Sequence, residues 1–125
     1  MGHPGKVKSM GFQISTRELH GITVVDAVGR LTLNDSRTQL RDVIHVLSSK
    51  GQRKFLFNLA GVEFIDSDGM GELVRCYSIV RQRGGELKLV HVNKKVQDLL
   101  ELTRLSTLFE MYSEESAALE AFRRG

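Results

Sequence analysis

The segment Lys54-Phe55-Leu56-Phe57-Asn58-Leu59 is short, apolar and without the polar alternation of a half-solvated strand. It reads as a central strand buried on both faces, which requires a sheet with packed helices. The flanking residues supply them. Leu40, Val43, Ile44 and Leu47 recur at helical spacing until Gly51, with Arg41 and Asp42 on an outward face. Ahead of them, Asn34-Asp35-Ser36 offers caps, and Ser36 with Gln39 fits a capping box. Beyond the central strand, residues 61–69 read as a loop. Met70, Leu73, Val74, Tyr77 and Val80 then trace a second helix that runs to Arg83 and closes at Gly84-Gly85.

The remaining elements extend the same pattern. Phe12, Ile14 and Leu19 lead to His20-Gly21, and the β-branched run Ile22-Thr23-Val24-Val25 follows, which predicts a hairpin with a two-residue turn. Residues 86–92 alternate as a strand, Asn93 caps a helix through Val96, Leu99 and Leu100, and residues 108–112 read as a last short strand. Ser113, Glu114 and Glu115 start a terminal helix whose acids face its positive end while Arg123 and Arg124 sit at its negative end. Helical crossovers between strands of one sheet imply parallel neighbours, with the hairpin as an antiparallel edge. The fold class is α/β, a mixed and mostly parallel sheet with helices packed on it.

Composition excludes several functions. With 125 residues, 41% of them apolar, the chain is large enough to bury one core without disulfides or a structural metal. The 18 basic and 15 acidic residues are interspersed, so a net charge of +3 does not mark a nucleic-acid surface. Cys76 is the sole cysteine, as suits a reducing cytoplasm, and no His or Cys spacing suggests a metal site. No apolar stretch is long enough to span a bilayer, and residues 1–10 read as a disordered leader before a domain over 11–125. Cys76 flanks an apolar helical stripe and reads as a small buried hydrophobe; His91 reads as structural.

Sites in open α/β sheets gather beyond the carboxyl ends of the strands, where residues 64–71 are placed. Ser67 lies just before a helix whose free N–H groups can receive an anion. Asp66 or Ser67 can equally be a plain N-cap, with the glycines only easing a tight turn. Three chemical motifs fit poorly. An aspartate-dependent phosphatase loop expects Thr or Val where Met70 stands, a hydrolase elbow expects Gly at Ile65, and a calcium loop needs an oxygen ligand at Met70. Lys94 and Lys95 would approach Ser67 if the two strands that precede them are neighbours, although solvated charge explains them as well.

The run Asn58-Leu59-Ala60-Gly61-Val62-Glu63-Phe64-Ile65-Asp66-Ser67-Asp68-Gly69-Met70-Gly71-Glu72-Leu73 resembles the signature of STAS-domain anti-sigma factor antagonists, usually Asp-Leu-Ser-Gly-Val-x-Phe-Ile-Asp-Ser-Ser-Gly-Leu-Gly. The resemblance extends over residues 12–122, through Gly29-Arg30-Leu31 and Gly84-Gly85-Glu86-Leu87. It implies a STAS fold and a non-enzymatic cytoplasmic switch without a cofactor. Ser67 corresponds to the serine phosphorylated by an anti-sigma serine kinase of the GHKL type. The unmodified antagonist binds that kinase and frees a sigma factor, and a PP2C-type phosphatase restores it. Asp68 replaces the usual second Ser or Thr and Asn58 the usual Asp. The expected docking set is Phe64, Asp66, Ser67, Asp68, Gly69, Met70 and Arg75, on an antagonist that acts as a monomer or homodimer. The competing readings are a STAS scaffold, a small-ligand or lipid-transport accessory module, and the small phosphatase already disfavoured.

Overall fold

The computed structural model describes residues 11–124; the leader expected over 1–10 lies outside them. Strands β1 (Phe12–Leu19) and β2 (Ile22–Leu31) form the expected antiparallel hairpin, with Leu19 opposite Ile22. Its two turn residues, His20 at φ 52° and Gly21 at φ 82°, both take the positive φ that a primed two-residue turn needs. Helix α1 (Gln39–Ser49), strand β3 (Lys54–Ile65), helix α2 (Ser67–Gln82), strand β4 (Glu86–Val90), helix α3 (Lys94–Leu102), strand β5 (Met111–Tyr112) and helix α4 (Glu115–Arg124) follow. A short 3-10 turn, Leu105–Thr107, precedes β5. The sheet order is β1-β2-β3-β4-β5, parallel at every pairing except the first.

The central strand is buried on both faces, as its composition predicts. Phe55, Phe57 and Leu59 enter one cluster with Leu40 and Ile44 of α1, Leu73, Cys76 and Val80 of α2, and Val96 and Leu100 of α3. Leu56 turns the other way, joining Ile22, Val24, Val90, Ala118 and Phe122 beneath α4. Period-two geometry thus sends an unbroken apolar run into two cores. Each fully buried side chain of this size contributes about 1.5–3 kcal/mol.

Several sequence expectations are corrected, among them the last strand, expected over 108–112 and formed by Met111–Tyr112 alone. Residues 61–65 are not loop, since β3 continues to Ile65 and leaves Asp66 alone before α2. Between Asp26 and Val28, and again between Gly29 and Arg30, β3 advances one residue more than β2, from Asn58 to Gly61 and from Val62 to Phe64. These bulges reset the alternation, so Leu59, Val62 and Ile65 all turn inward at a spacing of three. The capping box at Ser36 and Gln39 does not form either. The Ser36 hydroxyl is buried and donates to the Thr32 carbonyl at 2.7 Å, and α1 begins after Thr38, whose side chain donates to Asp42 at 2.9 Å. Asn93 does cap α3, accepting from the Val96 N–H at 2.8 Å.

Candidate functional site

The extension of β3 carries the chain to the rim where α2 starts. Asp66 is extended (φ −109°, ψ −175°) and its Oδ1 accepts from the Gly69 N–H at 2.8 Å, so it is the N-cap of α2. Its N–H also donates to the Leu31 carbonyl at 3.3 Å, which ties the helix start to the end of β2. Gly69 packs so closely on the Leu31 carbonyl that a Cβ there would collide with backbone. The capping duty therefore falls to Asp66 and leaves Ser67 free. Ser67 is the first residue of α2, is exposed, and its hydroxyl makes no hydrogen bond among the described residues.

The residues expected to act together separate into two groups. Phe64, Ser67, Asp68 and Arg75 are exposed and Asp66 is half-buried, all at the β3–α2 junction or along the first turns of α2. Met70 instead enters the core, where its Sδ lies 3.9 Å from the Thr103 hydroxyl, and Gly69 is buried against β2. Phe64 is held in its exposed position by Arg30, whose guanidinium lies 5.2 Å from the ring centroid and pairs with Asp35 at 3.2 Å. Val62, by contrast, turns inward.

A cleft of about 430 Å³ opens beside this rim, between the start of α1 and the first turns of α2. Thr32, Leu33, Asn34, Arg37, Thr38, Arg41, Asp68, Glu72 and Arg75 line it. Glu72 is its buried anchor, since Oε2 accepts from both the N–H and Nε of Arg41 at 3.2 Å and Oε1 lies 3.6 Å from Arg75. Arg41 thus turns to α2 rather than outward. Sequence periodicity does not reveal Arg37, Arg41 or Glu72 as a group, because Glu72 lies off the apolar stripe of α2 and Arg41, its partner on α1, is 31 residues away.

Other candidates have structural duties. Lys94 pairs with Asp98 at 3.1 Å, while the Asn93 side chain donates to the Val62 carbonyl at 2.9 Å and holds α3 against the extension of β3. Asn58 donates to Asp26 at 2.7 Å, within a network in which Arg17 joins Asp26 and Glu115. That network has electrostatic consequences: the Arg17 hydrogen bonds hold both the Asp26 and Glu115 carboxyls below their ordinary values. Burial pushes the Cys76 thiol up and leaves it inert. Among the described residues no helix is long and apolar enough to cross a membrane.

The chain is similar in sequence and fold to proteins of one family. The chain is 26% identical over 110 residues to the anti-sigma F factor antagonist of Paenibacillus polymyxa, covering 88% of this chain and 94% of that one. It is 29% identical over 82 residues to the anti-sigma-B factor antagonist of Staphylococcus aureus, covering 66% and 74%. Its fold superposes on the crystal structure of an anti-sigma factor antagonist from Mycobacterium paratuberculosis with a TM-score of 0.79, at 21% identity, over 98% of this chain and 99% of that one. The family model of the STAS domain matches residues 13–118, and on that match the chain belongs to the STAS domain family.

Proposed function

We propose that the protein is an anti-sigma factor antagonist, a non-enzymatic binding module whose switch is the hydroxyl of Ser67. In the unmodified state it binds an anti-sigma serine kinase of the GHKL type through Phe64, Ser67, Asp68 and Arg75, and the sigma factor held by that kinase is released. The kinase phosphorylates Ser67 and ends the association, and a PP2C-type phosphatase reverses the modification. The observation that carries this reading is the division of labour at the start of α2, where Asp66 caps the helix and the Ser67 hydroxyl is left exposed and unbonded. A serine that served as the cap would have to give up a helix bond to be modified; Ser67 gives up none.

The electrostatics supply the sign of the switch. A phosphoserine carries roughly −1.5 to −2 charge at neutral pH and would stand between Asp66 and Asp68. The free N–H groups of the first helical turn favour the added charge locally, while an approaching partner meets a concentrated anion in place of a neutral hydroxyl. Titration of the anti-sigma kinase against the wild type, Ser67→Ala and Ser67→Asp tests this. Ser67→Ala should bind like the wild type, and Ser67→Asp should bind at least about tenfold more weakly, a change of about 1.4 kcal/mol. Equal affinity of all three would contradict the proposal.

A further inference from the structure

The cleft beside Ser67 holds an imbalance of charge. Three arginines, Arg37, Arg41 and Arg75, line it with two acids, Asp68 and Glu72. Glu72 is shared between Arg41 and Arg75. The Arg37 side chain is exposed and makes no hydrogen bond or ion pair among the described residues. Its backbone nonetheless sits at φ 49°, in the left-handed region that side chains other than glycine seldom occupy. The turn that imposes this is well fixed: Ser36 and Arg37 both donate backbone N–H groups to the Thr32 carbonyl, at 3.0 and 3.3 Å, and Thr32 Oγ1 accepts from the Asp35 N–H at 3.0 Å. An arginine is therefore held on a fixed, strained turn beside a cleft, with no side-chain partner among the described residues to account for it.

We infer that this cleft receives an acidic side chain of the protein partner, with Arg37 as the guanidinium that pairs with it. The inference rests on the reading of the chain as an anti-sigma factor antagonist and names the chemistry of its contact. The cleft volume, about 430 Å³, suits one or two side chains rather than a helix. Leu33, 59% exposed, forms an apolar lip beside the cation, which favours a peptide carboxylate flanked by apolar surface over a free inorganic anion. Arg41 already donates to Glu72 through its Nε, and Arg75 lies 3.6 Å from the same carboxylate, so Arg37 is the guanidinium of the cleft without an anion of its own among the described residues. Asp68, on the same wall, follows Ser67 directly. A phosphate on Ser67 would bring a second anion to the rim where the partner's acid must enter, so the cleft and the switch oppose each other through one field.

The test measures the affinity of the anti-sigma kinase for the wild type, Arg37→Gly, Arg37→Lys and Arg37→Glu, with the melting temperature of each. Arg37→Gly relieves the left-handed backbone, so it should melt at or above the wild-type temperature while binding about tenfold more weakly. Arg37→Glu should bind still more weakly and Arg37→Lys should retain most of the affinity. Added salt should weaken the wild-type complex more steeply than the Arg37→Gly complex. Wild-type affinity in Arg37→Glu overturns the inference and leaves the antagonist reading intact. Failure of the wild type itself to bind the kinase overturns the antagonist reading, and this inference with it.

Discussion

The carboxylate of Glu72 caps a helix to which it does not belong: it accepts from the backbone N–H of Arg41 at 3.2 Å, in the first turn of α1, and from the Nε of the same residue. Thr38 makes no side-chain cap bond of its own, so α2 supplies to α1 what the local sequence does not. Glu72 is 3% exposed and its charge is met by Arg41 and Arg75. Removing it orphans an N–H and leaves two arginines without their shared anion. Glu72→Ala should therefore destabilise the protein by about 3 kcal/mol, and Glu72→Gln, which keeps an acceptor for the N–H, by clearly less. Urea denaturation of the two variants checks the order, and equal losses would contradict it.

The entry into α2 depends on backbone proximity. A Cβ on Gly69 would collide with the Leu31 carbonyl, an atom of the sheet that cannot rotate away. Gly69→Ala should cost about 1–3 kcal/mol through displacement of the helix start, although alanine is the better helix former. Gly71, whose added Cβ would meet only the end of the Arg75 side chain, should accept alanine without loss. Melting temperatures of the two variants separate them.

Capping by Asp66 and the modification proposed at Ser67 fall on adjacent residues, which predicts a clean separation by mutation. Asp66→Ala removes the acceptor of the Gly69 N–H and should lower stability by about 1 kcal/mol. Ser67→Ala breaks no bond in the structure and should leave the denaturation midpoint unchanged within about 0.5 kcal/mol. A larger loss at Ser67 than at Asp66 would reverse the assignment.

Stability should fall in acid, and the sign follows from the paired carboxyls. Asp26 and Glu115 are held low by the hydrogen bonds from Arg17, and Glu110 by those from Lys88 and Tyr112. Each binds fewer protons folded than unfolded between its folded and unfolded pKa. Their stabilisation is complete above the ordinary carboxyl range, near pH 4, and is lost as pH falls through the depressed folded values. Asp26→Asn removes one of these groups, so its urea midpoint should be lower than the wild type's at neutral pH and should change less between roughly pH 5 and pH 2. A profile as steep as the wild type's would count against the Arg17 network.

Much of this architecture is legible in the sequence where local chemistry decides it. The apolar run at 54–59, the His20-Gly21 turn and the Asn93 cap each carry their structure in neighbouring residues. The extension of β3 does not, because two bulges convert an alternation of two into the spacing of Leu59, Val62 and Ile65, which resembles a loop with scattered apolar residues. Ser36 fails as a cap for a related reason: its hydroxyl finds the Thr32 carbonyl, four residues back, before the helix starts. At the site, the strand-to-helix motif leaves the cap open between Asp66 and Ser67, and the structure gives it to Asp66, with Ser67 as the first residue of α2. The Glu72 to Arg41 contact is not legible, since it exists only once α1 and α2 lie side by side.

The central claim is that the Ser67 hydroxyl is the site of modification, and mapping of phosphate by mass spectrometry after incubation with the anti-sigma kinase and ATP tests it most directly. One phosphate on Ser67, absent in Ser67→Ala, is the predicted result. Phosphate on another residue with Ser67 unmodified, or no phosphate while the kinase binds the protein, would contradict it.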